Sequence, residues 1–145
     1  MSDMHGDAVL RITEAGDVST VVEVEQPSGL GWLPDGSLLI SAMTRRCVMR
    51  YDGQELAVHA DLSSLASHEI NDMCVDRHGR AYVNARNVGG GAAGPRDAIL
   101  LVQPDGHASV AADGMQSPNG SVVTADGSTF IVAETSQARL TAFTI

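Results

Sequence analysis

One phrase is written three times in this chain, and each time a polar residue stands eight positions ahead of a turn glycine. The copies read Ser28-Gly-Leu-Gly-Trp-Leu-Pro-Asp-Gly36, Asn71-Asp-Met-Cys-Val-Asp-Arg-His-Gly79 and Asn119-Gly-Ser-Val-Val-Thr-Ala-Asp-Gly127. Behind each glycine comes an apolar, β-prone run: Leu38–Ile40, Ala81–Val83 and Thr129–Val132. The glycines at 36, 79 and 127 are 43 and 48 residues apart. A period of roughly 40–50 residues built from hairpins marks the blade of a β-propeller, a four-stranded antiparallel sheet set radially around a channel.

The rest of the chain agrees with an all-β fold. Short Val-, Ile-, Leu- and Ala-rich runs follow one another, bounded by turns at Gly16, Gly36, Gly53, Gly106 and Gly127. Residues 8–24 read as the outer half of a blade, 28–60 as a complete blade, 71–112 as a second, and 119–145 as an incomplete one. A closed ring of four such blades needs more than about 160 residues, and this chain has 145. A partial propeller is therefore expected. Its cut blades leave open sheet edges, which predict self-association. A helical turn over Asp61–Ile70, capped by Ser63 or Ser64, and a loop over Asn87–Arg96 with its Gly89-Gly-Gly are the expected irregularities. Trp32 reads as a packing residue between blades, and Cys47 and Cys74 as small buried hydrophobes.

A formal charge of −9 argues against nucleic acid as a partner. No apolar window of transmembrane length and no signal core is present, so the expectation is a soluble cytoplasmic protein without a membrane partner. No GxSxG, P-loop, HExxH or CxxC pattern occurs, which removes the serine-hydrolase, phosphate-loop and zinc-cluster readings.

Chemistry then falls to the repeated polar position. A residue just ahead of a blade's innermost strand lies at the mouth of the channel, and matching residues of successive blades converge there. Asn71 and Asn119 share that register. Each offers a neutral amide oxygen, a hard donor suited to Ca²⁺, which takes about six to eight oxygen ligands, or to Mg²⁺ or Mn²⁺. Ser28 holds the same place in the first phrase. Two neutral amides alone hold a divalent ion poorly, so a working site needs carboxylates as well. His68 and Glu69, just ahead of Asn71, are peripheral substrate-binding candidates with Asn71 itself.

With Pro27 ahead of the first phrase, Ser117-Pro118 ahead of the third, and Ile131-Val-Ala-Glu-Thr135 behind it, the sequence resembles the senescence marker protein / gluconolactonase / luciferin-regenerating enzyme family of six-bladed propellers. The resemblance covers almost the whole chain, at about half of the family's length. It implies a metal-dependent hydrolase of lactones or related esters of sugar acids, with a divalent metal held at the channel top. That metal is Ca²⁺, or alternatively Zn²⁺, Mg²⁺ or Mn²⁺. Asn119 in Pro-Asn-Gly matches the family's metal-binding Asn, and Asn71 the Asn that contacts substrate or metal. The family's Glu ligand is expected upstream of Met1, and its Asp ligand and base beyond Ile145, so no catalytic residue is assigned and the chain alone is expected to be inactive. Glu134 is expected to bind loop backbone. The alternatives are a non-catalytic propeller module that binds a protein or small ligand, and a truncated inactive homologue.

Overall fold

The computed structural model describes residues 1–88 and 96–145. Fourteen strands form four antiparallel sheets in which chain neighbours pair. The first sheet holds β1 (Ser2–Asp3), β2 (Ala8–Ile12) and β3 (Val18–Glu23); the second holds β4 (Pro27–Trp32), β5 (Leu38–Ala42), β6 (Cys47–Tyr51) and β7 (Leu56–Asp61). The third holds β8 (Ile70–Val75), β9 (Ala81–Val88), β10 (Arg96–Val102) and β11 (Ala108–Met115); the fourth holds β12 (Pro118–Val123), β13 (Thr129–Glu134) and β14 (Arg139–Thr144). Among the described residues the one helical element is a 3₁₀ turn at Thr135–Gln137, and no helix is long and apolar enough to cross a membrane. The chain is a partial β-propeller.

The core lies between sheets, not within one. β5 is buried at every position because a strand's alternate side chains face opposite sides and both sides are covered here. Leu38 and Ile40 join Val9 and Val24 of the first sheet, while Leu39 joins Val83 and Leu100 of the third. The pattern repeats one sheet on. Val83 faces back, and Tyr82 faces forward to stack on Phe130 of the fourth sheet with ring centroids 4.7 Å apart.

The innermost strands β4, β8 and β12 sit side by side, and glycine allows the closest approach. A Cβ on Gly29 would lie 2.2 Å from the Met73 backbone nitrogen, and one on Gly31 2.2 Å from Val75 Cγ2. The turn glycines serve a different need. Gly36, Gly79 and Gly127 have φ of +87°, +80° and +75°, the left-handed conformation that a Cβ disfavours. An aspartate beside several turns accepts the amide two residues on: Asp35 from Ser37 at 2.9 Å, Asp105 from His107 at 2.9 Å and Asp126 from Ser128 at 3.1 Å.

Three expectations are corrected. Trp32 is 65% exposed and does not pack between blades. It shares a face of β4 with Leu30, which leans on the first sheet's cluster, and there the neighbour of β4 is the two-residue β1. The Asp61–Ile70 connection makes a single turn, with the Ala66 amide donating to the Leu62 carbonyl at 2.8 Å. Its cap is Asp61, which accepts the Ser63 amide at 2.9 Å, and not Ser63 or Ser64. Finally, the loop expected over Asn87–Arg96 is strand at both ends, since β9 runs on to Val88 and β10 begins at Arg96; its residues 89–95 lie outside the described residues.

Gly29→Ala and Gly36→Ala separate the two uses of glycine. Urea unfolding is expected to show a loss of roughly 1–2 kcal/mol for Gly36→Ala, from backbone conformation alone. Gly29→Ala is expected to lose more, because the new methyl forces β4 from β8.

Candidate functional site

The three phrases share a structural defect that the period does not announce. In each, the inner strand carries one residue more than its partner. Ile70 pairs with Ala85 and Met73 with Val83, so Asn71 and Asp72 together face Asn84. Pro27 pairs with Ala42 and Leu30 with Ile40, leaving Ser28 and Gly29 opposite Ser41. Asn119 pairs with Ala133 and Ser121 with Val132, leaving Gly120 extra, at φ +51°. A β-bulge bends its strand and re-aims a side chain, at the cost of a residue dropped from the ladder.

The dropped groups find partners across the sheets. The Gly120 amide donates to Asp72 Oδ2 at 2.9 Å. The Ser28 hydroxyl reaches Asn71 Oδ1 at 2.9 Å and Asp72 Oδ1 at 3.3 Å. One carboxylate thus ties β4, β8 and β12 together at their bulges.

Beside this knot is a cavity of about 260 Å³ lined by Asn71, Asn84, Arg86, Ser117, Asn119 and Thr135, with Ala85 and Pro118. It brings together Asn71 and Asn119. His68 is exposed and Glu69 half-buried; both precede β8, and neither lines the cavity. The Glu69 carbonyl accepts the backbone amide of Arg86, a lining residue, at 3.2 Å.

Asn84 is the residue that sequence reasoning missed. It is 1% exposed, and among the described residues neither its amide oxygen nor its nitrogen has a hydrogen-bond partner, a state that costs roughly 1–3 kcal/mol per group. Its counterpart Ser41 is likewise buried with an unpartnered hydroxyl. The signal was available: a polar residue interrupts the second strand five positions after the turn glycine in both repeats.

The segment leading to Asn119 is held from below. Glu134, 1% exposed, accepts the Gln116 amide at 2.9 Å, Arg139 Nε at 2.8 Å and the Thr141 hydroxyl. The Arg139 and Thr141 donors, with that amide, hold its carboxyl down at about 2. Ser117 is fixed at φ +52°, uncommon for a residue with a side chain; its amide donates to Asp97 Oδ2 at 3.0 Å, and its carbonyl accepts the Thr135 amide at 3.1 Å. Glu134 therefore binds loop backbone, as expected.

As a metal-binding set the cavity is incomplete but chemically apt. Asn71 and Asn119 supply hard, neutral oxygens, and Asn71 has given one lone pair to Ser28. Among the described residues no three His, Cys, Asp or Glu side chains gather to hold an ion.

An asparagine-lined cavity beside bulged inner strands of a partial propeller defines the structural class. The model of the SMP-30/gluconolactonase/LRE-like region matches residues 1–145, and the chain belongs to that family. No curated protein matches it. Among solved structures it is similar to a gluconolactonase from Xanthomonas campestris, with 26% identity and a TM-score of 0.80, over 99% of this chain and 53% of that one. A putative gluconolactonase superposes at 0.79, with 19% identity, over 99% and 54%. A calcium-binding regucalcin from Agrobacterium tumefaciens superposes at 0.67, with 14% identity, over 86% and 43%. The chain spans about half the length of these structures.

Two variants test the supports of the site. Asp72→Ala is expected to lower stability in urea by about 1 kcal/mol, the net worth of the hydrogen bonds lost, since the Gly120 amide it frees is exposed to water. For Glu134, a carboxyl held below its ordinary 4.5 stabilises the fold fully above that pH, and the contribution fades as pH falls toward about 2. Glu134→Gln is therefore expected to be less stable at neutral pH and to show a shallower loss between about 4.5 and about 2 in denaturant melts; an unchanged slope contradicts the assignment.

Proposed function

We propose that this chain supplies the asparagine half of a divalent-metal site, with Ca²⁺ as the ion, in a hydrolase of lactones or related esters. The observation that carries the reading is that Asn71 and Asn119, from equivalent places in successive repeats, open onto one cavity. Family membership supports the reaction class, and the name of the calcium-binding relative supports the ion.

Asn71 and Asn119 would hold the ion through their amide oxygens. Ser28 orients Asn71 by donating to its oxygen, and Asp72 fixes the bulge beside it. When bound, the ion supplies Lewis-acid polarisation of the ester carbonyl and of the oxyanion that develops on it. The polar lining of the cavity receives the lactone's hydroxyls. Neither amide can take a proton from water at neutral pH, so the general base and the charged ligands belong to parts of the relatives' structures that this chain does not span. We infer that the chain alone binds Ca²⁺ weakly and turns over no lactone. The open sheet edges favour association with further blades or with a second copy.

The test is a chimera in which this chain replaces the matching half of the Xanthomonas gluconolactonase. Expected are Ca²⁺-dependent hydrolysis of D-glucono-1,5-lactone and a loss of about tenfold or more in metal affinity on Asn119→Ala, while calorimetry on the chain alone finds Ca²⁺ binding weaker than about micromolar, as neutral donors imply. Unchanged affinity and turnover in Asn119→Ala, or micromolar binding by the chain alone, would contradict the assignment.

A further inference from the structure

Two features of the cavity are not used by the metal reading. Asn84 presents a buried amide with both ends unpartnered. Arg86, further along β9, lines the same cavity and is exposed. Between β9 and β10 the register shifts across residues 85–88, a bulge that redirects the strand at this point. Among the described residues the Arg86 guanidinium makes no ion pair, not even with Glu69, its backbone partner across the ladder. Among the described residues that line the cavity, Arg86 alone carries a formal charge, a positive one on a chain of net charge −9.

An unpaired guanidinium matches the planar, two-oxygen geometry of a carboxylate. A buried carboxamide offers one acceptor and two donors, the complement of a hydroxyl that both gives and accepts. The two groups are two residues apart on one strand and line one opening, so one ligand that carries both functions can meet both.

We propose that Asn84 and Arg86 form an acid-selecting subsite: the substrate class is a polyhydroxylated lactone that retains a free carboxylate, with Arg86 taking the carboxylate and Asn84 a hydroxyl. This rests on the lactone reading above and goes beyond it, since the cavity then prefers an anionic lactone to the neutral one. Asn71 and Asn119, on β8 and β12, remain available to the ion.

The probes are D-glucaro-1,4-lactone, which keeps a carboxylate, and L-gulono-1,4-lactone, a neutral lactone of the same ring size. Each is titrated into the isotope-labelled chain, with binding read from the amide and side-chain NMR signals of Asn71, Asn84 and Asn119. The acidic lactone is expected to bind about tenfold more tightly at low salt, as one charge-assisted contact gives. Arg86→Gln, at an exposed position, is expected to abolish that preference and leave the neutral lactone unaffected. Asn84→Ser is expected to weaken both lactones alike. Equal binding of the two by the unaltered chain, or a preference that survives Arg86→Gln, overturns the subsite and leaves the lactone reading standing. If neither lactone moves these signals, the lactone reading falls and the subsite with it.

Discussion

Everything at the channel mouth depends on one carboxylate. A bulge in an inner strand is useful because it aims a polar side chain, but it leaves an amide outside the ladder that needs another acceptor. Asp72 is that acceptor for Gly120 and accepts from Ser28 at the same time. The three inner strands are thereby fixed relative to one another at the points where their side chains are turned toward the cavity. The third phrase has Gly120 where the second has Asp72, and the first has Gly29. Acceptor and donor positions are thus complementary across the repeats.

The remaining architecture follows from sheets that share their faces. Because each central strand buries both sides, Leu39 and Val83 belong to one cluster while Leu38 and Tyr82 belong to its neighbours. Removal of the second or the third sheet from this array would leave two clusters half uncovered. The close approach of β4 to β8 at Gly29 and Gly31 sets how tightly the inner strands can gather, and so how near Ser28 comes to Asn71.

Much of this was legible in the residues. The turn glycines, all at positive φ, and the apolar runs behind them gave the sheets, because turn chemistry and side-chain alternation are local properties. Asn71 and Asn119 were legible through their common register. Trp32 was misread because its burial depends on what lies against the first sheet's side of β4, which no local pattern records. Asn84 was missed for a related reason: in a strand sequence it is one polar residue among apolar ones, and its significance comes from the bulge opposite it, a property of two strands together. The role of Asp72 likewise depends on its partners on β4 and β12, which its own strand does not record.

The central claim is geometric: the bulges bring the amides of Asn71 and Asn119 to one cavity, where they can serve a single ion. Substoichiometric Mn²⁺ added to the labelled chain tests this directly, because paramagnetic broadening reports proximity even when binding is weak. The account predicts that the side-chain amide signals of Asn71, Asn84 and Asn119 broaden together and first. Broadening confined to surface aspartates and glutamates, with these three amides untouched, would contradict it.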